Sequence, residues 1–141
     1  MLLILIPLIA VYLKLEIGLN PVSRTTKWCV HIPISVYLGW ISVATIVNVA
    51  CALYFQGWNG WGLSTEAWTA IMLLVAAIIS AIVIFQRQDL SYPGVTVWAF
   101  IAIAVKNSDI FFLRNLALAL AFLLILAMLL KIRYSSIRYS R

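Results

Sequence analysis

Residues 33–55 read PISVYLGWISVATIVNVACALYF and contain no charged side chain. At about 1.5 Å per helical residue this stretch reaches about 35 Å, which exceeds the roughly 30 Å hydrocarbon core of a bilayer. When the stretch is placed on a helix, several of its aromatic and polar residues lie in one stripe, while the aliphatic residues lie mostly on the other sides. The stretch therefore predicts a membrane-spanning helix with one distinctive face. That face comprises Pro33, Tyr37, Trp40, Ala44, Asn48, Cys51 and Phe55.

The composition extends this interpretation to the whole chain. Hydrophobic residues make up 65% of the 141 residues and charged residues only 10%, and the mean hydropathy is +1.09. Such a chain lacks the polar surface that a soluble domain of this size needs. We therefore expect an all-α, polytopic transmembrane helical bundle that forms a single domain over residues 1–141.

Five apolar segments are predicted to cross the membrane, and residues 131–141 form a basic tail. Ser64 or Thr65 predicts a helix cap before the third segment, and Pro93 suits the first turn of the fourth. The chain is apolar from its second residue with no basic segment before it, so a signal peptide is a poor interpretation. Further membrane helices upstream, or a misplaced start site, are the two hypotheses for a chain that starts inside a span. The segments are span A (residues 2–19), span B (32–55), span C (66–85), span D (90–106) and span E (110–130).

The basic residues predict the orientation of these spans. Eight of the ten fall on one side of a five-span topology, and only Lys106 and Arg114 fall on the other. Because cytoplasmic loops are enriched in lysine and arginine, this asymmetry predicts a cytoplasmic C-terminus and an external N-terminus. The loop after span B, which contains Trp58 and Trp61, would then face the exterior.

The charged residues also exclude several classes of function. No ionisable group lies at the centre of a span, where proton pumps and ion-coupled transporters need one. The acidic residues, Asp89 among them, and His31 lie at span ends, and we expect them to be solvated interfacial groups. One histidine and four scattered carboxylates form no catalytic dyad or metal site, so we expect no enzyme. The charges form no patch for nucleic acid, and His31 as a ligand of a tetrapyrrole metal is the weaker alternative.

Two tryptophans and one amide lie deeper in the membrane than interfacial anchoring explains. Trp40 and Trp98 are each predicted well inside a span, which makes them candidates for a ligand or helix-packing surface. Asn48 is expected to point into the bundle, since an amide facing lipid would lack hydrogen-bond partners. It would there either bond to another helix or anchor a bound amphiphile.

Small residues recur at four-residue spacing in spans C and E. Such pairs allow helices to approach closely in a membrane. They predict a compact bundle in which these two spans are packed against neighbours. The pairs are Ala76 with Ser80, Ala77 with Ala81, and Ala117 with Ala121.

The run Trp28, Pro33, Tyr37, Trp40, Ala44, Thr45 and Asn48 resembles the last helix of the TspO/translocator family, whose members are also called tryptophan-rich sensory proteins. The stretches KWCVHIPISVYLGWISVATIVNVACAL, GWNGWGLS, WTAIML and VWAFIAIAVK are similar to longer tryptophan-rich, TspO-related bacterial membrane proteins over roughly residues 12–107. The resemblance implies a five-helix bundle, often dimeric, that binds porphyrins and other flat hydrophobic ligands. It also implies that Trp40, Ala44, Thr45 and Asn48 face the ligand cavity.

The leading hypothesis is a membrane protein that binds a tetrapyrrole or similar flat hydrophobic ligand between spans B and D, with a sensory or regulatory role. Trp40 and Trp98 would stack on the ligand, Tyr37 lies on the same face, and Asn48 or Thr45 would supply a polar contact. The alternative is an accessory or assembly subunit of a larger membrane complex, and transport of a small lipophile is a third option. Expected partners are the lipid bilayer, the ligand, and a second copy or a larger complex.

Overall fold

The computed structural model describes residues 2–55, 57, 62, 64–87 and 89–139, with the side chains at 50, 51, 53, 54 and 135–139 outside the description. This part of the chain is helical and contains no strand, which confirms the predicted all-α bundle. The predicted external Trp58 and Trp61, and the side chain of Cys51, lie outside the described residues. The helices are α1 (Leu2–Lys14), α2 (Arg24–Thr26), α3 (Ile32–Phe55), α4 (Thr65–Gln86), α5 (Ser91–Lys106) and α6 (Phe111–Tyr139), and a π-helical segment (Lys27–His31) joins α2 to α3.

Three helical stretches of the described chain are long and apolar enough to cross a membrane: Arg24–Val49, Thr65–Gln86 and Phe111–Tyr134. The other two apolar helices, α1 with 13 residues and α5 with 16, are shorter. At about 1.5 Å per residue they reach about 20 and 24 Å. They are thus shorter than a hydrocarbon core of about 30 Å.

Two predicted boundaries differ from the structure. Span A was expected to reach residue 19, but α1 ends at Lys14, because Glu16 (φ 48°) and Gly18 (φ 78°) adopt left-handed conformations that turn the chain. Span E was expected to give way to a tail after residue 130, but α6 continues to Tyr139. That segment has no glycine or proline to end a helix.

The start of α4 agrees with the sequence. The Ser64 hydroxyl accepts a hydrogen bond from the Ala67 backbone N–H at 3.2 Å, which confirms the predicted cap. Pro93 lies in the first turn of α5, where its missing N–H has no intrahelical partner to lose. Both α4 and α5 therefore carry, at or near their start, a residue suited to that position.

The main core lies between α4, α5 and α6. Four of the six small residues predicted to allow close packing are buried there: Ala77 is 8% exposed, Ser80 and Ala117 0%, and Ala121 3%. The other two, Ala76 and Ala81, are partly buried against the same core. Phe100 of α5, 1% exposed, fills the space between these small residues. In the same core the Ser80 hydroxyl donates to Thr96 Oγ1 at 2.8 Å, so α4 and α5 are also joined by a buried polar contact.

A second, smaller cluster attaches α1 and α3 to α5. It contains Tyr12, Ile17, Leu38 and Tyr92, all at most 5% exposed. Ile17 follows the end of α1, so the turn that shortens this helix also inserts its apolar side chain into the bundle. The remaining surface of α1 is apolar and exposed, as expected for a helix that lies against lipid.

Candidate functional site

Trp40 of α3 and Trp98 of α5 lie side by side on the surface of the bundle. Their ring centroids are 5.9 Å apart and their planes are tilted by 45°. Trp40 is 49% exposed and Trp98 59% exposed, so each ring retains a free surface. They line an open groove of about 480 Å³ between the two helices. Its walls are Val36, Trp40, Ser91, Gly94, Val95 and Trp98.

The groove exists because α3 and α5 approach closely at Gly39. A Cβ atom added to Gly39 would lie 3.1 Å from the Tyr92 carbonyl oxygen and 3.1 Å from the Val95 Cβ. A side chain at this position would therefore push the two helices apart. Trp40 follows Gly39 directly in the sequence and lines the groove beside this contact.

The polar residues predicted for the site lie elsewhere on α3. Thr45 is buried, and its hydroxyl donates to the Ile41 carbonyl at 2.7 Å. Asn48 is exposed, and its amide donates to the Ala44 carbonyl at 2.8 Å. The prediction that Asn48 points into the bundle is therefore wrong for this chain. The inward orientation was expected because an amide facing lipid would lack hydrogen-bond partners. The hydrogen bond from Asn48 to its own helix satisfies part of that requirement, so the amide can face outward.

The structure thus assembles part of the predicted site. Trp40 and Trp98 come together, while Tyr37 is 47% exposed and Ala44 half-buried, and neither lines the groove. Sequence reasoning missed Ser91, the one side-chain hydroxyl among the groove residues described. The sequence pattern that could have identified Ser91 is its spacing from Gly94, Val95 and Trp98, because these four residues share one face of a helix.

A polar network fixes the end of the bundle next to this groove. The Tyr12 hydroxyl donates to Asp89 Oδ2 at 2.8 Å, and the Ser91 backbone N–H donates to Asp89 Oδ1 at 2.9 Å. Arg87 donates to the Ile17 carbonyl at 3.0 Å, and its guanidinium lies 4.9 Å from the centroid of the Tyr12 ring. These contacts attach α1 to the connection between α4 and α5.

The expectation that Asp89 and His31 are solvated interfacial groups is wrong. Asp89 is 6% exposed and His31 8% exposed. Asp89 tolerates burial because each carboxylate oxygen accepts a hydrogen bond. At the same end, the Lys131 ammonium donates to the Phe85 carbonyl at 2.9 Å, in the last turn of α4, where a cation is favoured.

We expect Tyr12→Phe to loosen α1. The substitution removes a donor from a buried carboxylate, which should lower the free energy of unfolding by about 1–3 kcal/mol. Hydrogen–deuterium exchange of residues 2–14 should become faster while that of α6 is unchanged. Tyr37→Phe is the matched control, because Tyr37 is exposed and none of the described hydrogen bonds involves its hydroxyl. Equal exchange of α1 in the two variants would contradict the assignment.

Comparison with known proteins matches the chain to a protein family. A family model described as TSPO-like protein matches residues 1–130. The match extends beyond residues 12–107, the range of the resemblance noted in the sequence. It covers α1, α3, α4 and α5 completely and α6 as far as residue 130. No curated protein and no solved structure matches the chain.

Proposed function

The chain belongs to the TSPO-like family, and from this premise we propose that it binds a flat hydrophobic ligand, such as a tetrapyrrole, in the groove between α3 and α5. The observation that supports the proposal is the Trp40–Trp98 pair, which offers two partly exposed rings beside an apolar groove. A flat aromatic ligand gains from offset or tilted contact with such rings as well as from burial.

The groove residues suggest distinct roles in this function. Trp40 and Trp98 provide the contact surface, and Gly94 leaves the floor between them open. The Ser91 hydroxyl, at the start of α5, supplies the polar contact that the sequence had suggested for Asn48 or Thr45. A sensory or regulatory role would follow from ligand binding, with the basic end of the bundle in the cytoplasm as the charge asymmetry predicts.

Titration with protoporphyrin IX tests the proposal. The purified full-length chain should bind it saturably, and Trp40→Ala should weaken binding about tenfold through lost ring contact and apolar area. Binding is followed by the porphyrin's own absorption, because the substitution changes the tryptophan fluorescence. Phe122→Ala is the control, since Phe122 is a 66% exposed aromatic residue on α6. The proposal fails if the parent shows no saturable binding or if Trp40→Ala binds as tightly as the parent.

The same exposed tryptophan face supports a second candidate, an accessory subunit of a larger membrane complex. A helix of a partner protein could cover Trp40 and Trp98 in place of a ligand. Gentle solubilisation followed by native electrophoresis distinguishes the two. A subunit would migrate with its complex, whereas a ligand-binding protein would migrate alone or as a small homo-oligomer.

A further inference from the structure

A second cavity, of about 690 Å³, lies at the end of the bundle where α1 ends and α5 begins. Its walls are the turn after α1, the segment that leads into α3, and the connection between α4 and α5. Its polar side chains are Asn20, Arg24, Lys27, His31, Asp89 and Ser91. This cavity shares Ser91 with the groove, but it contains neither Trp40 nor Trp98, so the tryptophan surface proposed to contact the porphyrin lies outside it.

Three basic side chains reach this cavity from one stretch of helix. Arg24, Lys27 and His31 are three and four residues apart, which places them on the same face of a helix. Within the described residues, neither the Arg24 guanidinium nor the Lys27 ammonium has a hydrogen-bond or ion-pair partner. The cavity wall thus carries two exposed positive side chains that are not paired with any described carboxylate.

His31 adds a third polar group to the wall formed by Arg24 and Lys27. Its side chain is 8% exposed and lines the cavity, and its ring has no hydrogen-bond partner among the described residues. The His31 ring nitrogens are not among the buried, unpartnered polar atoms, so they are open to the cavity, where an imidazole can hydrogen-bond to a polar occupant.

Asp89 is the one carboxylate among the described cavity residues, and it limits where an anion can bind. Its two oxygens already accept hydrogen bonds from Tyr12 and from the Ser91 backbone. An anion would therefore bind toward Arg24, Lys27 and His31, away from this wall.

The rim of the cavity is apolar and exposed. Trp28 is 63% exposed, Leu19 52% and Val22 40%. An occupant that combines an acidic group with hydrocarbon chains fits such a rim, whereas a soluble anion leaves it uncovered. The basic end of a bundle of apolar helices is also where lipid headgroups lie.

We propose that this cavity binds the phosphate headgroup of an anionic membrane lipid through Arg24, Lys27 and His31, with the acyl chains against the apolar rim. The experiment uses the full-length chain in mild detergent with equal amounts of phosphatidylglycerol and phosphatidylcholine. Native mass spectrometry counts the lipids retained, and we expect a preference for phosphatidylglycerol. Replacing both basic residues, Arg24→Gln with Lys27→Gln, should weaken phosphatidylglycerol retention about thirtyfold.

The matched control is the double variant Lys14→Gln with Arg133→Gln. It removes the same charge from exposed residues that do not line the cavity, so retention should be unchanged. If the Arg24/Lys27 variant proves unstable by circular dichroism, Lys27→Gln alone serves, with an expected weakening of about fivefold. Phosphatidylglycerol retention by the His31→Gln variant tests the contribution of the imidazole separately.

A second arm distinguishes lipid from soluble phosphate. Millimolar inorganic phosphate should leave the bound phosphatidylglycerol in place, and its displacement would show a site for soluble phosphate and overturn the proposal. Equal retention of the two lipids, or an equal loss in the control variant, would also overturn it. Porphyrin affinity, measured on the same variants, should be unchanged, so this proposal and the proposed function can fail independently.

Discussion

Phe100→Ala is expected to lower the free energy of unfolding by about 3 kcal/mol, the largest effect among the substitutions considered. Phe100 is 1% exposed and contacts the core shared by α4, α5 and α6. In a membrane the unfolded helices remain in an apolar medium, so the loss arises mainly from the cavity and the missing packing contacts. These terms are large because packed neighbours relax only partly into the space that a removed side chain leaves.

The measurement is reversible unfolding in mixed detergent and denaturing micelles, followed by circular dichroism. Phe122→Ala is the matched control, because Phe122 is 66% exposed on α6 and its removal creates no internal cavity. We expect the control to change stability by less than about 1 kcal/mol. A similar loss of stability in both variants would show that Phe100 does not fill the core as described.

The second large effect is expected from Gly39→Leu. Even a Cβ at this position would meet the Tyr92 carbonyl and Val95 at 3.1 Å, so a leucine must separate α3 from α5. Overpacking of this kind costs about 1–3 kcal/mol of stability. It should also abolish porphyrin binding, because Trp40 and Trp98 would no longer line the same groove.

Gly94→Leu makes the comparison specific. A Cβ at Gly94 has nothing within 4 Å, so this variant should keep its stability to within about 1 kcal/mol. Its side chain would nevertheless enter the groove, and porphyrin binding should weaken at unchanged stability. Comparing Gly39→Leu with Gly94→Leu thus separates the effect of helix spacing on porphyrin binding from the effect of groove shape. If Gly39→Leu kept both normal stability and normal porphyrin binding, the close approach of α3 and α5 would be refuted.

Much of the fold follows from local sequence. The absence of charge over residues 33–55 predicts α3, and the Ser64 cap predicts the start of α4. The spacing of Ala117 and Ala121 predicts a buried face of α6. These features can be read directly because hydropathy, capping and helical periodicity depend on residues within one or two turns of each other.

The candidate site is only partly accessible to such reasoning. The depth of Trp40 and Trp98 marks them as unusual, but no local rule pairs a residue of α3 with one of α5, 58 positions later in the chain. The pairing depends on where the two helices cross, and Gly39 sets that point. Asn48 illustrates the converse, because a hydrogen bond to its own helix overrides the expectation drawn from its polarity.

By itself the sequence determined that this protein is an all-helical membrane bundle, since composition and periodicity require only local information. Its motifs resemble the TspO/translocator family, and the match to the TSPO-like family model confirms that membership. The tertiary structure alone decided which helix faces meet, and so produced the tryptophan groove, the burial of Asp89 and His31, and the basic cavity. The bond from Tyr12 to Asp89 spans 77 residues. From the sequence alone a charged residue at a span end is expected to be solvated, because a hydrogen-bond partner that is distant in the chain is known only from the fold.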